Sequence, residues 1–294
     1  DLDSVTRAGT SALLCAASNP DTSMEVQRAT VMKLLAYGAD PYLRDPTGNA
    51  PAEQYNIVAE VMDSQDLREE SLRVVAEFFG IAREQLQQGK NLELRCRRRC
   101  GFTSMSFVRS LALAGPFPAF EHLDLGRMEL LRTAEGGAAL AQFLGNCQEN
   151  LRILDLARTG ATTEGLWAMA AAGPFRALEK VHLSQNKEIL RTAEGGAALA
   201  QLLGSCQESL ECIYLADTGA TPEALRAMAA AGLWGALGSM NLSGNQDLLC
   251  TAEGGAALAQ LLGSCKCRSR AAPRQLPGEP PVHLPRRHRG DAGG

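Results

Sequence analysis

TAEGGAALAQ begins at Thr133, again at Thr192 and again at Thr251, 59 residues apart each time. A second pair of near-copies keeps that period: GATTEGLWAMAAAG from Gly160 and GATPEALRAMAAAG from Gly219. Leu-rich segments recur in step with them, LRILDLARTG from Leu151 and LECIYLADTG from Leu210. Self-similarity at a fixed period marks a repeat architecture, in which each unit buries its apolar face only against its neighbours.

Each 59-residue period holds two units. The last leucine of each Leu-x-Leu-like core falls at Leu125, Leu156, Leu183, Leu215 and Leu242, spaced 31, 27, 32 and 27 residues. Alternation within these short cores predicts strands. The segments between them have helical periodicity. Leu199, Leu202, Leu203 and Cys206 follow an i, i+3, i+4, i+7 spacing, and Leu225, Met228 and Ala229 form the matching stripe in the alternate unit. Thr221 is placed to cap that alternate helix, with Pro222 at its first position and Glu223 in its first turn. A short strand, a turn, a helix and a return therefore make one unit. The predicted class is α/β, a solenoid with short parallel strands inside and helices outside.

The repeated segments Leu151-Arg-Ile-Leu-Asp-Leu156-Ala-Arg-Thr159 and Leu210-Glu-Cys-Ile-Tyr-Leu215-Ala-Asp-Thr218 resemble the leucine-rich-repeat family. The alternating shorter and longer units are similar to its ribonuclease-inhibitor-like class. Leu178 to Asn186 and Leu237 to Asn245 carry the same resemblance, and Phe120 to Met128 carries it more weakly. Asn186 and Asn245 stand where the family uses Asn to bond neighbouring backbone groups. Thr159 and Thr218 take that place in alternate units, and Met128 breaks the pattern. The resemblance covers residues 91–265. A degenerate first unit is read at Leu92-Glu-Leu94, followed by a helix near Thr103 to Ala114; Gly115-Pro-Phe117, matching Gly173-Pro-Phe175, supports that extension.

Residues 1–80 read differently. Gly9-Thr-Ser-Ala-Leu13, Val31 to Pro41 with its Gly38-Ala39-Asp40 turn, and Asp45-Pro-Thr-Gly48 resemble an ankyrin repeat, which implies two antiparallel helices and a protruding finger. A second, degenerate unit runs from Gly48 to Gly80; Asp66 to Phe79 is a good amphipathic helix, whereas Ala52 to Met62 lacks the family's first-helix residues. Two units are fewer than the roughly three that a stable stack needs. The segment is therefore expected to lean on residues upstream of Asp1 or on the first leucine-rich unit. Residues 81–90 read as a linker.

The pattern stops after Cys265. Residues 266–294 are Pro-, Arg- and Gly-rich without periodicity and are expected to be disordered. The break falls in mid-repeat and the chain begins at Asp1, so the sequence is read as part of a longer protein. Its formal net charge of -4 hides an asymmetry: seven Lys and Arg side chains against two acidic ones from Lys266 onward leave the body at -9. Nucleic-acid binding by the body is disfavoured on that balance. Nine cysteines without disulfide-framework spacing point to a reducing compartment, and no apolar run is long enough for a transmembrane helix. The expected location is cytoplasmic.

Candidate chemistry is sparse. The pairs Gly136-Gly137, Gly195-Gly196 and Gly254-Gly255 lack the Lys-Ser/Thr of a phosphate loop, and their triplication fits a close contact repeated in each unit. Cys147, Cys206 and Cys265 share one phase, but equivalent positions two units apart cannot reach one ion; they read as small core residues. Cys96 and Cys100 lack a second ligand pair for zinc. Arg286-Arg-His-Arg289 reads as a solvated basic patch. No catalytic motif, cofactor site, metal site or small-molecule substrate is predicted.

Strand alternation places two rows on the concave face. One comprises Glu93, Asp124, Asp155, His182, Tyr214 and Asn241; beside it run Asn91, His122, Ile153, Lys180, Cys212 and Ser239. Both families generally serve protein recognition, so the resemblance implies a non-catalytic interaction module. Asp124, Asp155, Lys180, His182, Tyr214 and Asn241 are the expected contacts with a protein partner. The same resemblance leaves two alternatives: the sensor region of a larger NOD-like receptor-type protein, or a regulator resembling the Ran GTPase-activating protein.

Overall fold

The computed structural model describes residues 11–80, 82–93, 104–147, 149–171, 175–204, 206, 208–232 and 235–264. The stretch around Cys96 and Cys100, the Thr103 helix start, Gly173-Pro174, Cys265 and the tail from Lys266 lie outside the described residues.

Helices occupy the N-terminal part: α1 (Ala12–Ser18), α2 (Met24–Ala36), α3 (Pro51–Gln54), α4 (Asn56–Met62), α5 (Gln65–Phe79) and α6 (Arg83–Gln88). Serines start three of them. Ser11, Ser23 and Ser64 accept the backbone N–H groups of Leu14, Val26 and Leu67 at 3.2, 3.4 and 3.3 Å. Each such cap is worth about 1 kcal/mol. Gly80 ends α5 in the left-handed region, at φ 62°, a conformation that glycine adopts without steric cost. Ala52 to Met62, which lacks first-helix residues, forms two short helices broken at Tyr55, which is extended. The stretch 81–90, expected as a linker, includes α6, whose Leu86 is fully buried.

α5 has two working faces. Leu67 and Val74 belong to a core shared with Leu13, Val31, Leu35, Val58 and Val61. Leu72, Val75 and Ala76 instead join a second core that continues through the rest of the chain. The N-terminal helices thus pack directly against the strand-containing part.

That part is a series of strand–helix units. The order is β1 (Asn91–Glu93), α7 (Ser104–Ala114), β2 (His122–Asp124), α8 (Ala134–Gly145), β3 (Ile153–Asp155), α9 (Thr163–Ala170), β4 (Lys180–His182), α10 (Ala193–Gly204), β5 (Cys212–Tyr214), α11 (Pro222–Ala230), β6 (Ser239–Asn241), α12 (Gln246–Leu249) and α13 (Ala252–Ser264). The six strands form one all-parallel sheet in sequence order. Neighbouring helices pack in the same succession, α7 on α8, α8 on α9, α9 on α10, α10 on α11 and α11 on α13. The chain is α/β, and this arrangement is compatible with an α/β solenoid.

The central residue of each three-residue strand from β2 to β5 points into the core: Leu123, Leu154, Val181 and Ile213 are each at most 1% exposed. Leu125, Leu156, Leu183 and Leu215 are buried beside them. The repeated helices start on threonine. Thr133, Thr162, Thr192, Thr221 and Thr251 accept the N–H three residues on at 3.0 to 3.3 Å. Thr221 and Pro222 take the capping and first helical positions expected from the sequence.

Two devices lock one unit to the next. Asn186 donates to the carbonyls of Leu156 and Leu183 and accepts from the Ala161 N–H, and Asn245 repeats the pattern with Leu215, Leu242 and Ala220. Both are buried, and their side-chain groups are satisfied across the unit boundary. The second device is a row of left-handed residues: Arg127, Arg158, Gln185 and Asp217, at φ 68°, 60°, 65° and 55°. Their N–H groups donate to Ala157, Ser184, Ala216 and Ser243 of the next unit. The parallel ladder is thereby carried beyond each strand into the turn.

Candidate partner-binding face

The register of the sheet builds the site. Asp124, Asp155, His182, Tyr214 and Asn241 are direct ladder partners on β2 to β6. His122, Ile153, Lys180, Cys212 and Ser239 form the parallel row. Because both rows flank the central residue of each strand, they share the sheet face turned away from the core. Adjacent members of a row are spaced at about 4.8 Å, the separation of neighbouring strands. All six candidate contacts lie on this face and all are partly exposed.

Within the row the side chains divide the work. Asp124, Asp155 and Asn241 each turn one oxygen back onto their own chain, accepting the N–H of Gly126 (2.9 Å), Ala157 (2.8 Å) and Ser243 (2.9 Å). The two aspartates thereby shape the turns in which Arg127 and Arg158 stand. At the two intervening positions aromatic rings replace these turn-holding side chains: His182 and Tyr214 stack with centroids 4.0 Å apart and planes 29° from parallel. The other oxygen of Asp155 lies 4.0 Å from Nδ1 of His182.

Burial pushes the His182 imidazole below its ordinary value, against the opposing pull of the Asp155 carboxylate and, more weakly, Asp124. Lys180, on the same strand, adds to the lowering. At neutral pH His182 is a neutral, stacked ring beside a carboxylate, able to accept one hydrogen bond and donate one.

A polar cavity of about 320 Å³ lies at the turn edge of the row, lined by Asp124, Gly126, Arg127, Asp155, Ala157 and Arg158. Two aspartates and two arginines are among its lining residues. Sequence reasoning misses the arginine pair, because nothing in Leu-Ala-Arg-Thr marks Arg158 for a left-handed turn. Arg158 Nε also donates to the Gln185 amide oxygen one unit on.

A second cavity, about 350 Å³, sits between the N-terminal helices and α7 and α8. Ala39, Pro41, Met62 and Leu113 give it apolar walls, and an ion pair crosses it, Arg109 to Asp40 at 2.6 Å. No motif announces this one, since its residues are scattered from position 39 to position 142.

Among the described residues, no group of three His, Cys, Asp or Glu side chains is arranged to hold a metal ion. Cys147 and Cys206 are buried, and each thiol lies against a carbonyl of the helix before it. Burial pushes both thiols up to about 12. No described helix is long and apolar enough to cross a membrane. No family model matches the chain, and no curated protein matches it in sequence.

Proposed function

We propose that the open sheet face is a non-catalytic docking surface for a protein partner, and that the chain is a leucine-rich-repeat module of the ribonuclease-inhibitor-like kind with ankyrin-like helices at its N-terminal end. The observation that carries this reading is the preorganised His182–Tyr214 stack, set in a row with Asp155 and Asp124 on strands of matched register. Stacked aromatic rings with their rotamers already fixed bind at low entropic cost, and flanking charges supply selectivity. Lys180 and Asn241 extend the surface along and across the row. The free thiols of Cys15, Cys147, Cys206, Cys212 and Cys250 support residence in a reducing compartment such as the cytoplasm.

The test is capture from lysate of the source cells on the immobilised full chain, compared with the same chain carrying Asp155→Ala, His182→Ala and Tyr214→Ala together. A partner retained by the first and lost by the second, with the variant's melting unchanged, supports the reading. Retention of the same partner by both would reassign binding to another surface.

A further inference from the structure

The same 13 residues, AEGGAALAQLLGS, open at Ala193 in α10 and at Ala252 in α13, in two different environments. On α10, one face is covered by α11: Gly196 is buried, Leu199 and Leu203 are 0% exposed and Ala200 is 3% exposed. On α13 the equivalent Gly255, Ala259 and Leu262 are exposed, Leu262 by 47%, and Leu258 is only partly buried. The opposite face is buried in both copies, through Ala198 and Leu202 on α10 and through Ala257 and Leu261 on α13.

The second glycine of each pair says what kind of neighbour this face takes. A Cβ on Gly137 would lie 2.3 Å from the Gly165 carbonyl oxygen, and one on Gly196 would lie 2.2 Å from that of Ala224. Both partners are the third residue of the alternate helices α9 and α11. A Cβ on Gly255 would meet nothing within 4 Å. The first glycine behaves alike in all three copies, pressed against the carbonyl of Leu130, Ile189 or Leu248 in the segment just before its helix. Among the described residues, only the contact to a succeeding helix is missing from the third copy.

We infer that the exposed face of α13, together with the outer edge of β6, is a docking site for one more strand–helix unit whose helix is of the α11 kind. The site is continuous with an interface already made twice in this molecule. Helices of the Gly-Gly kind (α8, α10, α13) alternate with α9 and α11 along the stack, so the next position calls for the alternate kind. Such a helix has a threonine cap and a small residue, Gly165 or Ala224, where its backbone must close on the glycine. A second folded copy of this chain has no such helix to offer, since its α9 and α11 are each enclosed on both flanks. The incoming strand would pair with β6, whose outer edge meets no other strand among the described residues.

The test inserts a second copy of residues 206–236 into the full chain directly after Ser264 and measures amide exchange. Tethering supplies a high effective concentration of the unit. The expected result is that exchange over α13 slows about ten-fold or more, towards the rate of α10. Gly255→Ala, harmless in the parent chain, should abolish that protection, and Leu262→Asp should lower the melting temperature of the extended chain alone. Unchanged exchange in α13, with α10 still protected, would overturn the inference, as would equal responses to Leu262→Asp in both chains. Protection of α13 in the parent chain that grows with protein concentration would assign the face to a second copy and overturn it as well.

Discussion

Asn186 reaches back one unit and donates to the Leu156 carbonyl, which also accepts the Thr159 hydroxyl at 2.8 Å, and that hydroxyl oxygen lies 3.3 Å from the Asn186 amide oxygen. One closed cluster of side chain and backbone therefore joins β3 and β4 below their turns, and Asn245 with Thr218 and Leu215 repeats it between β5 and β6. Parallel strands of three residues make few ladder bonds, so these buried amides contribute much of what fixes the spacing of the units.

Asn186→Ala should therefore destabilise the protein by about 2–4 kcal/mol, since it strands the Ala161 N–H and the Leu183 carbonyl in a buried place and leaves the Leu156 carbonyl only the Thr159 hydroxyl. Asn186→Asp should cost at least as much, because a carboxylate cannot donate to those two carbonyls. Urea melts of both variants against the parent check this. A loss under about 1 kcal/mol for both, the worth of one ordinary hydrogen bond, would show that the clamp is dispensable.

His182 gives the stability a pH dependence. Its folded value lies below the ordinary imidazole value of 6.5, chiefly through burial, so the unfolded chain binds the proton more readily than the folded one. The stability this provides is complete above the unfolded value and is lost as pH falls below it and through the folded value. The depressed carboxyls of Glu70, Glu121 and Glu135 act outside this window, because their contributions hold above their ordinary 4.5 and are lost only below it. Melting temperature should fall from about pH 7 to about pH 5 in the parent and fall less in His182→Phe. Asp155→Asn should lower the imidazole value further, because it removes the charge that holds it up; an NMR titration of the His182 ring reads this directly.

The periodicity of the sequence makes the sheet legible residue by residue. With the Leu-x-Leu cores aligned, Asp124, Asp155, His182, Tyr214 and Asn241 fall out as ladder partners, because a strand residue's face depends only on parity. What parity does not encode is where a side chain goes once on its face. That Asp124, Asp155 and Asn241 turn back to hold their own turns, while His182 and Tyr214 stack, depends on torsions and on the neighbour one unit away. The left-handed Arg127, Arg158 and Gln185 are equally hidden, since such positions announce themselves only when glycine or asparagine fills them, as Gly244 does. The junction cavity needs tertiary structure outright.

Cysteine burial sets thiol reactivity. Cys147 and Cys206, with thiols pushed up to about 12 and almost no exposure, should resist alkylation in the folded protein, whereas the exposed Cys15 and Cys250 should react readily at mildly alkaline pH. Cys212, on the open sheet face with its thiol raised by partial burial, should react more slowly than the exposed pair. Peptide mapping after a timed iodoacetamide pulse ranks them. Labelling of Cys206 at the rate of Cys15 would contradict the packing of α10.

The two parts of the chain meet at a joint that should melt as one. α5 serves two cores at once, through Leu67 and Val74 on one side and Leu72, Val75 and Ala76 on the other, and Phe78 stacks on Phe107 of α7 with centroids 5.7 Å apart. The Arg109–Asp40 pair spans the same joint with side chains only 11% and 19% exposed. Removing one member of a pair this enclosed leaves the other charge uncompensated, which costs about 3 kcal/mol, whereas removing both costs less than the sum. Arg109→Met should thus destabilise the whole chain in a single transition, and Arg109→Met with Asp40→Asn should recover part of the loss. Two separate transitions in Arg109→Met, with only the N-terminal helices melting early, would show instead that the parts fold independently. On the coupled arrangement residues 1–90 alone should show no cooperative melt, because one apolar face of α5 would then be turned to water.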